Sequence, residues 1–197
     1  MKAVAFNGSP RRGGNTEFLL KTVLTELESE GIASEVIQVG SQRLRGCRAC
    51  GWCRKTGTGR CVIDDDPLND YLEKMCAADA ILLGSPTYFA DVTAEMKALI
   101  DRAGYVLRPL NSLVRKVGAG LVAARRGGAI HTFDTLNHFF LINQMIVIGS
   151  CYWNDGLGGA AGAVAEEDAE GTETARTLGR NMAWALQRLK REPETDV

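Results

Sequence analysis

Short apolar runs alternate with amphipathic stretches along the whole chain, and nothing else in the sequence narrows the fold as far. The runs "KAVAF" (2–6), "EVIQV" (35–39), "AILLG" (80–84), "GAGLVAA" (118–124) and "MIVIG" (145–149) are brief and apolar, as strands are. Between them, residues 17–30 set Leu20, Val23, Leu24 and Leu27 at helical spacing, and helical patterns recur near 67–76 and at 93–107, 133–144 and 171–190. Met96, Leu99, Ile100, Ala103 and Val106 carry the second of these later patterns, and Ala175, Leu178, Met182, Ala185 and Leu189 the last. Strands apolar on both faces and separated by helices imply a parallel sheet covered on both sides, a doubly wound α/β/α sandwich. Right-handed crossovers then leave few topologies.

The 197 residues fit the roughly 100–200 expected of one domain, and no linker-like stretch divides them, so 1–197 reads as a single domain. Two insertions break the rhythm: the cysteine-rich segment 43–66 and the Gly/Ala-rich loop 150–167. Loops this long are usually functional. A net charge of −1 gives no basic footprint for a nucleic-acid partner. The first apolar run, "MKAVAF", is too short for a signal-peptide core, and nowhere do ~18 apolar residues run unbroken. A cytoplasmic protein with no membrane partner is expected.

The loop "GSPRRGGNT" (8–16) joins the first strand to a helix start. A helix N-terminus offers free amides and a positive dipole end to an anion. Gly13 and Gly14 permit close backbone approach, Ser9 and Thr16 supply hydroxyls, Arg11 and Arg12 add charge, and Asn15 suits an N-cap. Phosphate is the guest these groups fit. Gly8 to Gly13 satisfies GxxxxG, but Gly14 and Asn15 stand where a nucleotide triphosphatase needs Lys and a hydroxyl residue. GxGxxG is absent too, and so is a cysteine able to attack a phosphate ester. A solvated glycine-rich turn is the bland alternative.

"GSPTYFAD" (84–91) repeats Gly-Ser-Pro at the end of the third strand and adds Thr87, Tyr88 and Phe89. In a five-stranded sheet ordered 2-1-3-4-5, strands one and three flank the switch point where ligands bind. One loop therefore offers phosphate donors, and the other offers amides and aromatic rings to a flat heterocycle. FMN has both parts. The bland alternative is that Tyr88 and Phe89 cap the core. A third stretch, "ARRGG" (124–128), ends the fourth strand, where its glycines can pass beside a ring.

These three loops, in this order and with the cysteine segment between the first two, resemble the flavodoxin-like NAD(P)H-dependent FMN reductase family over nearly the whole chain. The resemblance implies that Ser9, Arg11, Asn15 and Thr16 hold the FMN phosphate. It implies that Pro86, Thr87, Tyr88 and Phe89 hold the ring, with Arg126 and Gly127 at its far edge. The chemistry implied is hydride transfer from NAD(P)H to the flavin and onward electron delivery. The flavin performs this without a protein acid or base, so no catalytic residue is named. A nicotinamide nucleotide is the implied partner, and a homodimer or homotetramer the implied assembly.

Cys47, Cys50, Cys53 and Cys61, four of the chain's six cysteines, lie within "CRACGWCRKTGTGRC" at spacings x2, x2 and x7. In a reducing cytosol such a cluster more often binds metal or does redox chemistry than forms disulfides. The motif resembles that of the iron-sulfur flavoproteins, CxxCxxC with a fourth cysteine four to seven residues on, which implies a [4Fe-4S] cluster exchanging electrons with FMN and with a ferredoxin-like protein. Four thiolates are the complement of such a cluster, although no proline follows Cys61 as in bacterial ferredoxin runs. Cluster-free thiols and a structural zinc remain open, the zinc reading implying a non-redox phosphate- or nucleotide-binding protein. Four-cysteine zinc sites usually come as two separated CxxC pairs. Arg43, Arg45, Arg48, Arg54, Lys55 and Arg60 surround the motif with positive charge suited to a cluster, an NADPH phosphate or an acidic partner. Cys76 and Cys151 read as lone thiols, His131 and His138 as solvent-facing or packed, and "CYWN" (151–154) as a lid, an oligomer contact or core packing.

Overall fold

The computed structural model describes residues 1–189. Strands β1 (Lys2–Asn7), β2 (Ala33–Gln38), β3 (Ala80–Pro86), β4 (Val117–Ala124) and β5 (Ile146–Val147) form one sheet in the order β2-β1-β3-β4-β5. Every neighbouring pair is parallel. Helices α1 (Asn15–Ser29), α2 (Trp52–Thr56), α3 (Leu68–Ala77), α4 (Ala94–Leu107) and α5 (Ala129–Ile142) follow the first four strands. The expected topology is the one found.

Alternation along the strands builds two cores. Successive side chains point to opposite faces, so Val4 and Phe6 of β1 join Leu68, Met75, Met96 and Leu99 on one side of the sheet. Ala3 and Ala5 join Leu19, Leu20, Val23 and Leu178 on the other. All eight residues of β4 are buried. A Cβ on its Gly118 would lie 2.6 Å from the Phe140 ring, so α5 packs against bare backbone there. Truncating a fully buried leucine such as Leu82 removes about 2–5 kcal/mol in a core of this kind.

The fifth strand departs from expectation. Only Ile146 and Val147 of "MIVIG" pair as a strand, with Val117 and Gly118. The chain then leaves the sheet and returns as β6 (Asp155–Leu157), which pairs in parallel with Val122–Ala124. The upper half of β4 would otherwise present unpaired amides and carbonyls at a buried edge. The segment 150–167 is therefore partly ordered: it supplies β6 and the short helix α6 (Ala163–Glu167) before α7 (Ala169–Leu189). Residue 190, the last of the expected final helix, lies outside the described residues. Helix α5 starts at Ala129, four residues before the expected 133, because Gly128 at φ 91° turns the chain directly into it. No helix among the described residues is long and apolar enough to cross a membrane.

Candidate functional site

The loop after β1 is held from below by buried polar groups. Asn7, fully buried at the end of β1, accepts from the Ser9 amide at 3.0 Å and donates to Gln38 Oε1 at 2.9 Å. Gln38, at the end of β2, donates in turn to the Ser9 and Gly40 carbonyls. Gly40 lies so close that a Cβ there would sit 2.2 Å from the Ser9 carbonyl oxygen. The Gly8 amide donates to the Gly84 carbonyl at 2.8 Å, and Thr93 Oγ1 donates to the Gly8 carbonyl at 2.9 Å. Thr93 also caps α4 by accepting from the Met96 amide. The two switch-point loops are thus tied to each other before any ligand is considered.

Helix α1 starts one residue earlier than the motif suggests, because Gly14 is its N-cap and Asn15 its first residue. The first helical bond runs from the Phe18 amide to the Gly14 carbonyl, so the Asn15, Thr16 and Glu17 amides have no intrahelical partner. The Asn15 side chain turns the other way. It donates to the Ala160 carbonyl at 2.8 Å and accepts from the Val164 amide at 3.2 Å, fastening the segment after β6 over the crevice. Glu17 accepts from the Gly13 amide at 2.7 Å and pairs with Lys21 at 2.6 Å. The Lys21 ammonium, then the Gly13 amide, hold its carboxyl below the ordinary range.

The loop after β3 carries strain where ring contacts were expected. The Tyr88 and Asp91 backbones exchange hydrogen bonds of 2.8 and 3.1 Å around Phe89 (φ 49°) and Ala90 (φ 62°). Two successive positive φ values define a turn that normally takes Asn-Gly. Phe89 is 107% exposed and Tyr88 46%, so neither caps the core. Exposed strain of this kind collects at binding loops.

Ser9, Arg11, Asn15, Thr16, Pro86, Thr87 and Tyr88 line one cavity of about 260 Å³, with Ala123, Arg125 and Gly158–Ala161 along its far wall. Seven of the ten expected FMN residues therefore meet. Arg126 and Gly127 border an adjoining hollow of about 310 Å³ with Tyr152 and Trp153. Those two aromatic rings, both exposed, stand edge to face at 4.7 Å, which rules out core packing for Tyr152 and Trp153 of "CYWN". Burial, then Asp168, push the Asp155 carboxyl up on the wall of that hollow. A larger groove of about 790 Å³, between α4 and α5, contains none of the expected flavin residues. His138 lines it, and His131 stands 3.8 Å from Asp91 at the exposed start of α5.

The cysteine loop is built on a buried ion pair. Arg102 of α4 and the Asp66 carboxylate are both enclosed, with side-chain exposures of 1% and 0%. Burial opposes the charge on each, yet the pairing wins: the Asp66 carboxyl sits below its ordinary range and Arg102 above its own. Asn69 accepts from the Cys61 amide at 2.8 Å and donates to the Cys61 carbonyl at 3.1 Å. Cys47, Cys50, Cys53 and Cys61 all border one small cavity of about 20 Å³. Among the described residues, however, no three His, Cys, Asp or Glu side chains converge as ligands of a single ion. The surrounding positive charge is partly neutralised, since Arg45 pairs with Asp65 and Arg60 with Glu73. Arg54 lies 4.8 Å over the Tyr105 ring.

Sequence reasoning missed Asn7, Gln38, Gly40, Thr93, Asp66, Asn69 and Arg102, which hold the two loops. Asn7 carried the one available signal, a polar residue closing an apolar strand.

A doubly wound sheet whose switch-point crevice joins a phosphate-type loop to an aromatic one defines a flavodoxin-like flavoprotein. The chain belongs to the NADPH-dependent FMN reductase family, which it matches over residues 1–159, and is by that membership an FMN-dependent oxidoreductase. An iron-sulfur flavoprotein of Methanocaldococcus jannaschii is 39% identical over 201 residues, spanning 97% of this chain and 100% of its own length. Another, of Methanosarcina thermophila, is 33% identical over 193 residues, spanning 97% and 98%. In fold the chain is similar to an NAD(P)H:quinone oxidoreductase from Methanothermobacter marburgensis, with TM-score 0.69 at 16% identity over 92% of this chain and 96% of that one.

Proposed function

We propose that the protein takes hydride from NAD(P)H onto FMN and passes the electrons to an acceptor, the whole of 1–197 acting as one FMN-binding unit. The observation that carries this reading is the meeting of seven expected FMN residues in one switch-point cavity. Ser9 and Thr16 would hold the phosphate by their hydroxyls, Arg11 by its charge, and Asn15 by its backbone amide, its side chain being engaged with Ala160 and Val164. Pro86, Thr87, Tyr88 and Phe89 would bear on the ring, and Arg126 and Gly127 on its far edge. FMN when bound supplies hydride acceptance and one- or two-electron delivery. The chain supplies a rigid anion cradle and, through β6 and the loop pinned by Asn15, a wall that limits water. A nicotinamide partner follows from this reading, and a homodimer or homotetramer from the family resemblance.

A second reading adds a [4Fe-4S] cluster on Cys47, Cys50, Cys53 and Cys61, which makes the protein an electron carrier exchanging electrons with a ferredoxin-like partner. Four cysteines border one cavity, and four thiolates are what a cubane cluster requires. The names of the iron-sulfur flavoprotein relatives agree with it. A cubane cluster when bound supplies one-electron transfer, and the loop supplies its four thiolates.

The test is the visible spectrum of protein purified without oxygen, with iron, sulfide and zinc assayed on the same sample. Flavin bleached by NADH or NADPH supports the reductase. Flavin with about four irons per chain, reduced faster by a protein donor than by either nicotinamide, supports the carrier. A colourless protein holding only zinc and refusing FMN would sink both and leave a non-redox phosphate-binding protein.

A further inference from the structure

Arg102 is a charged side chain in the core with a role the flavin reading does not use. Its guanidinium carries five N–H groups in a fixed fork. One terminal nitrogen donates to the Asp66 carboxylate and to the Arg45 carbonyl at 3.1 Å. The other donates to Cys61 Sγ at 3.3 Å and to the Ile63 carbonyl at 3.2 Å. The remaining donor, Nε, is buried with no hydrogen-bond partner among the described residues. An orphan donor of this kind is destabilising unless something accepts from it. Arg102 also borders the same small cavity as the four cysteines.

A purely structural ion pair does not require this arrangement. Asp66 and the two carbonyls would satisfy a clamp on the loop, whereas the bond to Cys61 Sγ reaches one of the four cysteines that border the cavity. Lysine, a point charge with three donors, cannot serve four acceptors in one plane. Helix α4 further links the two sites. Its N-cap, Thr93, is bonded to Gly8 and Ser85 in the flavin crevice, and Arg102 lies on the same helix beside Cys61.

We propose that Arg102 is a positioning residue for the cysteine centre: its fork fixes Cys61 Sγ, which would be a ligand of the cluster, and its hydrogen bond to that sulfur would stabilise the reduced form. This inference rests on the cluster reading above. Hydrogen bonds to sulfur raise the potential of an iron-sulfur centre because they stabilise the added negative charge. Asp66 keeps the guanidinium aimed, so the two act together.

The experiment uses full-length protein reconstituted without oxygen with iron, sulfide and FMN. The parent, Arg102→Lys, and the double variant Arg102→Met with Asp66→Asn, which leaves no lone buried charge, are compared. Iron, sulfide and FMN per chain are counted, and cluster and flavin midpoint potentials are titrated separately. The expected result is a cluster potential shifted negative in Arg102→Lys and further negative in the double variant. Iron content should fall at least twofold in the double variant, while FMN content and flavin potential match the parent. Unchanged iron content and cluster potential in FMN-loaded variants overturn the inference and leave the cluster reading standing. Loss of FMN and of helical signal in both variants reduces Arg102 to a structural ion pair and also overturns it. A parent that loads FMN but takes up no cluster removes the cluster reading and this inference together.

Discussion

The loop after β1 and the cysteine loop are held by different means. The loop after β1 takes its shape from a strand end, a helix start and close glycine contacts with β2 and β3, braced by the buried side chains of Asn7, Gln38 and Thr93. The cysteine loop has little regular structure beyond the single turn of α2, and takes its shape from side chains that arrive from α3 and α4. A loop set between a strand end and a helix start is largely made by the fold and shares its load among several supports. A side-chain scaffold fails when one member is lost.

The sharpest way to break this contrast is Arg102→Met. It leaves Asp66 charged, enclosed and alone, which in comparable buried pairs removes about 3–5 kcal/mol. Thermal unfolding of the FMN-loaded protein should show that loss, while FMN affinity of the folded fraction stays within a few-fold of the parent. A variant as stable as the parent would mean that the cysteine loop does not depend on the pair.

Gly40→Ala tests the other side. The new methyl meets the Ser9 carbonyl, which is backbone and can yield only by moving the phosphate loop. Overpacking of this sort costs about 1–3 kcal/mol, and a displaced Ser9 should weaken FMN binding by about tenfold or more, with 1.4 kcal/mol per factor of ten. Equilibrium flavin titration reads the effect. Stability lost with FMN affinity intact would show that the loop is less fixed by its neighbours than its contacts imply.

What could be read from the sequence follows the same division. The strands, the helix starts and the two Gly-Ser-Pro loops were legible because each is local and leaves its marks within ten residues, and the strand order followed from their doubly wound alternation. Arg102 was not legible, because within "EMKALIDRAGYVL" it looks like any helix-surface arginine. Only the fold brings it against Cys61, 41 positions away. The broken fifth strand was hidden for a related reason. "MIVIG" is apolar enough for a full strand, but its pairing ends after Val147 and a second segment completes the edge of β4. Asn15 was read as a cap from its position alone, and its amide proved to be tied to Ala160 and Val164, far along the chain.

The loop after β3 sharpens the comparison, because it is a backbone cradle under strain. Ala90 at φ 62° sits in a region where a non-glycine residue costs about 1–2 kcal/mol. Ala90→Gly should therefore raise stability by about that amount on thermal unfolding. If the exposed Phe89 ring depends on the strained turn to meet a ligand, the same variant should bind FMN several-fold more weakly. Higher stability with unchanged affinity would assign the strain to some other task.

The smallest expected effect belongs to Glu17, another side chain that braces the loop after β1. Its carboxylate accepts from the Gly13 amide and pairs with Lys21, and both hold its pKa below the ordinary 4.5. A carboxyl depressed by folding contributes stability that is fully present above its unfolded value and is lost as pH falls through its lower folded value. Between pH 7 and 5 the contribution should therefore be constant, and it should fade only below about pH 4.5. Lys21 is well exposed and solvent screens the pair, so at neutral pH Glu17→Gln should remove no more than about 1 kcal/mol. Asp66 and Glu35 are depressed as well and erode stability over the same acid range in both proteins. The difference between Glu17→Gln and the parent cancels them: it should be flat from pH 7 to 5 and shrink toward zero below about pH 4.5. A difference that grew on acidification would mean that Glu17 is held protonated in the loop, contrary to its bonds with Gly13 and Lys21.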